Sequence, residues 1–147
     1  EVLCQTKRNI KIITNSCFIA NYIRQYSSCQ IILLGGYYQP NSEVTVGPLL
    51  KKMISLFHVN HVFVGTDGFN PDLGFMGKDM MRSEGVRYMA DAAEEVVILT
   101  DSSKFSKTSL VHQLSLADVD RVITDQALDK QTQDLLSASG LVLDFVS

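Results

Sequence analysis

Short apolar runs alternate along the chain with longer stretches whose apolar positions recur at helical spacing. Residues 10–13, 30–34, 61–64, 96–99, 121–125 and 141–145 read as strands, each built on Ile, Val or Leu. Between them, Phe18, Ile19, Tyr22, Ile23 and Tyr26 mark one face of a helix that Thr14-Asn15-Ser16 would cap and Ser27-Ser28 would end. Gly47-Pro48 opens a second helix with a stripe of Leu49, Leu50, Met53, Ile54 and Phe57. Residues 78–93 predict a third, with Met80 or Met81, Val86 and Met89 facing inward, and residues 129–139 a fourth that stops at Gly140. Residues 37–45, carrying Pro40-Asn41, and 70–77, with Pro71, Gly74 and Gly77, read as loops. Residues 109–113 read as a short strand or turn, and 116–119 as a brief helical turn. Strands separated by helices predict an α/β three-layer sandwich with a mostly parallel sheet. The unbroken run Val62-Phe63-Val64 suits a central strand covered on both faces.

Most of these strands run out into a polar loop. The first ends in Thr14-Asn15-Ser16, the second in Gly35-Gly36, the third in Gly65-Thr66-Asp67-Gly68 and the fourth in Thr100-Asp101-Ser102-Ser103-Lys104. A parallel sheet brings such ends to one edge, where open α/β sheets take their ligands. Hydroxyls and free N–H groups at Thr14, Asn15 and Ser16 suit an anion, and equally suit capping their own helix. Asp67 is placed to accept hydrogen bonds from sugar hydroxyls, to act as a general base, or to brace its own turn. Asp101 with Lys104 joins a carboxylate to a point charge for phosphate, and together with Asp67 describes a pocket for a phosphorylated sugar or polyol.

With 147 residues, 46% hydrophobic and 20% charged, the chain fits one globular domain, residues 1–147. A net charge of −3, with no Lys/Arg cluster longer than a pair, argues against a nucleic-acid surface within it. No apolar stretch approaches a membrane span, so a cytoplasmic location is expected. Cys4, Cys17 and Cys29 read as reduced thiols, and the His58/His61 spacing matches no zinc motif, so no metal is expected. Neither a dinucleotide GxGxxG nor a P-loop is present, and no cofactor is expected. The chain does not open on Met, and residues 1–7 read as the tail of a helix, which points to a piece of a longer polypeptide.

Five motifs in order, Ile-Ile-Thr14-Asn15-Ser16, Leu34-Gly35-Gly36, Val64-Gly65-Thr66-Asp67-Gly68, Asp101-Ser102-Ser103-Lys104-Phe105 and Val122-Ile-Thr-Asp125, closely resemble the C-terminal effector domain of DeoR-type bacterial repressors. The resemblance implies a fold like that of ribose-5-phosphate isomerase, glucosamine-6-phosphate deaminase and the CoA-transferases. It implies a sensor for a phosphorylated sugar or polyol that alters operator DNA binding by an N-terminal winged helix-turn-helix outside this chain. Carried over residue by residue, the ligand contacts fall on Thr14, Asn15, Ser16, Gly35, Gly36, Asp67, Gly68, Asp101 and Lys104. The family's earlier strand and its phosphate loop, which precede the helix at residues 1–7, are not in this sequence, and Met76 stands where the family commonly shows a small hydroxyl residue.

A non-catalytic sensor, expected to be a homo-oligomer because operators usually have two-fold symmetry, is the leading expectation. The alternative is a sugar-phosphate isomerase or amino-sugar-phosphate deaminase with Asp67 as base. The sequence offers that base no paired Glu or His. A purely structural domain would show no ligand site at its strand ends.

Overall fold

The computed structural model describes residues 9–25 and 29–146. The helix tail at 1–7, Cys4, Tyr26 and the Ser27-Ser28 stop fall outside the described residues. The chain divides into two compact units, Glu1–Leu56 and Phe57–Ser147.

In the first unit, β1 (Ile10–Thr14) and β2 (Cys29–Leu33) pair in parallel around α1 (Cys17–Ile23). Ser16 caps α1 by accepting from the Ile19 N–H at 3.2 Å, as its position predicts. Residues 37–45 are not a loop: β3 (Tyr37–Gln39) and β4 (Val44–Val46) form an antiparallel hairpin. Its turn rests on Glu43, held at φ 52°, and on the Ser42 N–H reaching the Gln39 carbonyl. α2 (Pro48–Ile54) follows, burying Leu50 and Ile54 while Leu49 points outward and is 55% exposed.

The second unit holds a four-stranded parallel sheet in the order β11 (Val142–Val146), β10 (Arg121–Asp125), β8 (Ala93–Leu99), β5 (Val59–Val64). Helices α3 (Met80–Asp91) and α4 (Lys130–Ala138) flank it, each capped by an aspartate: Asp79 accepts from the Arg82 N–H, and Asp129 from the Thr132 N–H. This is the parallel α/β architecture that the alternation of patterns predicts. Within this sheet, however, β5 is an edge strand, and Phe63 is 52% exposed while Val64 is buried.

Residues 70–77 also differ from expectation. β6 (Gly68–Asn70) and β7 (Gly74–Gly77) make a hairpin, and β9 (Val111–Leu114) joins it in a three-stranded antiparallel sheet. The Asn70 side chain accepts from the Asp72 and Leu73 N–H groups at 2.9 and 3.0 Å to form the tip. Gly74 closes it at φ +89°, where a Cβ would stand 2.5 Å from the Leu114 carbonyl oxygen. In α3 the buried residues are Ser83, Gly85 and Ala90, and Val86 packs against the core as expected, whereas Met80 and Met81 are exposed. The core gathers Val64, Ile98, Val122 and Leu136 with the rings of Phe69, Phe75 and Phe105.

Candidate functional site

In the first unit β1 and β2 run parallel, so Thr14-Asn15-Ser16 and Gly35-Gly36 leave the same edge of the pair, with the Leu34 N–H on the Thr14 carbonyl at 2.8 Å. These polar groups are largely engaged by their own fold. Asn15 Nδ2 donates to the Thr45 carbonyl at 2.8 Å, and the Thr45 N–H returns a bond to the Asn15 carbonyl at 2.9 Å. The Ser16 N–H reaches Thr14 Oγ1 at 3.1 Å, and the Gly35 N–H points at Met53 Sδ. Thr45, which the motif reading passed over, is the hub: its buried hydroxyl also donates to the Leu34 carbonyl at 2.7 Å and ties both strand ends to β4.

In the second unit the carboxyl ends of β5, β8 and β10 share one edge, since their registers place Val64 opposite Ile98 and Ile98 opposite Val122. The loop at Gly65-Thr66-Asp67-Gly68 is pinned from within. Thr66 Oγ1 lies 2.7 Å from the Gly68 carbonyl and 2.9 Å from that of Met76, and accepts from the Met76 N–H at 3.3 Å. Gln113, only 4% exposed, donates Nε2 to the Gly65 carbonyl at 2.7 Å. Asp67 Oδ2 accepts the Lys78 N–H at 3.0 Å, so one of its oxygens braces the entry to α3.

Past β8, a 3₁₀ turn (Ser102–Lys104) carries the predicted lysine. Asp101 caps the turn through the Ser103 N–H and hydroxyl, and the Ser103 hydroxyl is the leading reason its carboxyl is held below its ordinary value. Lys104 Nζ stands 4.0 Å from Asp101 Oδ2 and is about a third exposed. That separation leaves the ammonium charge only loosely satisfied. Asp125, at the end of β10, accepts the Ser102 N–H at 2.7 Å and the Ala127 N–H at 2.9 Å. The Ser102 N–H is the main cause of its lowered pKa.

The Asp67 loop and the Lys104 turn meet. The Phe69 N–H donates to the Lys107 carbonyl at 2.7 Å, and a Cβ on Gly68 would lie 2.5 Å from that oxygen. Phe69 and Phe105, the residues just after Asp67-Gly68 and Lys104, pack with ring centroids 5.2 Å apart. Each loop is thus anchored by its own phenylalanine in one aromatic cluster, with Phe75 as the third member. The histidines belong elsewhere: His58 pairs with Glu94 at 3.1 Å and His61 with Glu95 at 2.7 Å, toward the amino ends of β5 and β8.

An α/β unit whose parallel strands end in neighbouring polar loops belongs to the class that holds small ligands outside its strand ends. A family model described as the DeoR C-terminal sensor domain matches residues 1–126, and the chain belongs to that family. It is 29% identical over 122 residues to the L-fucose operon activator of Haemophilus influenzae, covering 83% of this chain and 49% of that protein. It is 29% identical over 127 residues to the HTH-type transcriptional regulator IolR of Bacillus subtilis, covering 84% and 49%. With the glycerol-3-phosphate regulon repressor of Escherichia coli it shares 27% identity over 117 residues, covering 80% and 46%. The chain spans about half the length of these relatives, which are bacterial transcriptional regulators. Among the described residues no helix is long and apolar enough to cross a membrane.

Proposed function

We propose that this chain is the effector-sensing part of a DeoR-type repressor and that it binds a phosphorylated sugar or polyol. The observation that carries the reading is the junction of the Asp67 loop with the Lys104 turn. It joins the loop that carries a hydroxyl acceptor, Asp67, to the turn that carries a loosely paired ammonium suited to phosphate, which supports the reading. Asp67, Gly68, Asp101 and Lys104 are the proposed contacts of the second unit. In the first unit, taken by itself, Thr14, Asn15, Ser16, Gly35 and Gly36 are the proposed polar groups for an anion. One relative is named for glycerol-3-phosphate, a phosphorylated polyol, which supports the ligand class. The ligand acts by selecting among conformations of the whole regulator, a homo-oligomer of the cytoplasm, and so changes operator occupancy through a separate DNA-binding domain.

We read the domain as a sensor without turnover. Among the described residues the one hydrogen bond to the Asp67 side chain comes from the Lys78 backbone, and no titratable partner accompanies it. The test is a thermal-shift screen of the full-length regulator against phosphorylated and unphosphorylated sugars and polyols, with turnover assayed on each hit. A stabilising phosphorylated compound that is not consumed is the expected result. Lys104→Ala should weaken it about tenfold or more while leaving unphosphorylated analogues unchanged, because a charge-assisted contact is lost. Conversion of any hit to product supports the isomerase or deaminase reading instead.

A further inference from the structure

Asp125 was outside the set of contacts expected from the strand ends, yet it holds the turn that presents Lys104. Its two oxygens take two different backbone N–H groups, Ser102 at 2.7 Å and Ala127 at 2.9 Å. A carboxylate gripped at both oxygens cannot swing, so it offers Ser102 a fixed acceptor. Ser102 opens the Ser102–Lys104 turn, and the Lys104 N–H closes it on the Asp101 carbonyl at 3.1 Å. The turn therefore hangs between two aspartates, Asp101 from β8 and Asp125 from β10. The approach to this turn is also tied to β10 by the Thr100 N–H on the Ile123 carbonyl, a longer bond of 3.2 Å.

We propose that Asp125 is a positioning residue for phosphate recognition, acting through Lys104 without touching the ligand. The inference rests on the ligand reading above. An ammonium on a four-carbon stem adds affinity only if the backbone that carries it is ordered before binding. The bond to Ser102 supplies that order from the neighbouring strand. Its lowered pKa keeps Asp125 an ionised acceptor at neutral pH.

The test is a double-mutant cycle in the full-length regulator, with inorganic phosphate as the probe and affinity read by calorimetric titration. Lys104→Ala alone should weaken phosphate about tenfold, and Asp125→Ala alone by a similar factor. In the Lys104→Ala background, Asp125→Ala should cost nothing further, whereas a merely structural effect would multiply. Asp125→Asn keeps one acceptor oxygen and should recover most of the affinity, to within about threefold. If Asp125→Ala fails to give native circular dichroism, the same cycle is run with Asp125→Asn, whose smaller loss must likewise vanish in the Lys104→Ala background. Multiplying losses, or phosphate affinity untouched by Asp125 variants while Lys104→Ala weakens it, overturns the positioning role alone. Phosphate affinity untouched by Lys104→Ala overturns the ligand reading, and the positioning role with it.

Discussion

The Thr66 hydroxyl meets three backbone groups of the Gly68 and Met76 peptides within 3.3 Å and is buried with them. Thr66→Val keeps the shape and removes the polar atom: the single hydroxyl proton no longer reaches the Gly68 or Met76 carbonyl and the Met76 N–H loses an acceptor, while the Met76 carbonyl keeps the Asp67 N–H at 2.9 Å. The expected loss is about 1–3 kcal/mol in urea unfolding, with weakened binding of any ligand that contacts Asp67. Nothing in the sequence around Thr66 signals this. Its partner Met76 is ten residues away, across a hairpin tip that the apolar pattern does not show. Asp67, Asp101 and Lys104 were legible because position alone singles them out, polar residues directly after apolar runs. Asp125 gave the same signal at the end of β10, and its backbone partners in another loop were what the sequence could not show.

Long elements were legible, and so were the short strand at Val111–Leu114 and the turn at Leu116–Asp118, but the two short hairpins were not. The parallel strands and four helices follow from runs of Ile, Val and Leu and from helical spacing. The hairpin strands are three or four residues each, too few to alternate, and are made by turn chemistry. Asn70→Ala removes both bonds at the β6–β7 tip and should lower stability by about 1–2 kcal/mol, read from urea unfolding. A midpoint matching wild type would show that Gly74 alone sets the turn. The stripe of α3 holds only in part: Val86 packs against the core as its spacing predicts, but Met80 is 71% exposed, and Ser83, Gly85 and Ala90 are the buried positions. Small residues let a helix approach its neighbours closely, and a hydrophobicity pattern scores them as neutral.

At the scale of the molecule, the carboxylates with resolved shifts among the described residues all move the same way. Asp101, Asp125 and Asp129 are held down mainly by hydrogen bonds at the starts of turns and helices, Glu94 by Asn60 and His58, and Glu95 by Arg121 and His61. The aspartate caps could be seen in the sequence, since their partners lie two or three residues on. The glutamate pairs could not, because Arg121 and His61 reach Glu95 from strands 26 and 34 residues away. A group whose folded pKa lies below its unfolded one adds stability above the unfolded value and loses it as pH falls through the folded value. With ordinary values of 3.8 for Asp and 4.5 for Glu, the urea midpoint should hold steady from neutral pH down to about 5 and then fall. Arg121 bridges Glu95 at 2.9 Å and Asp144 at 2.5 Å, so Arg121→Met should lower the neutral midpoint and flatten the acid limb, because Glu95 then titrates nearer its ordinary value. These groups border solvent, so about 1 M salt, where screening acts within roughly 3 Å, should shrink the difference between the two proteins. An acid limb equally steep in Arg121→Met would place the pH dependence on the capping aspartates instead of the ladder across the sheet.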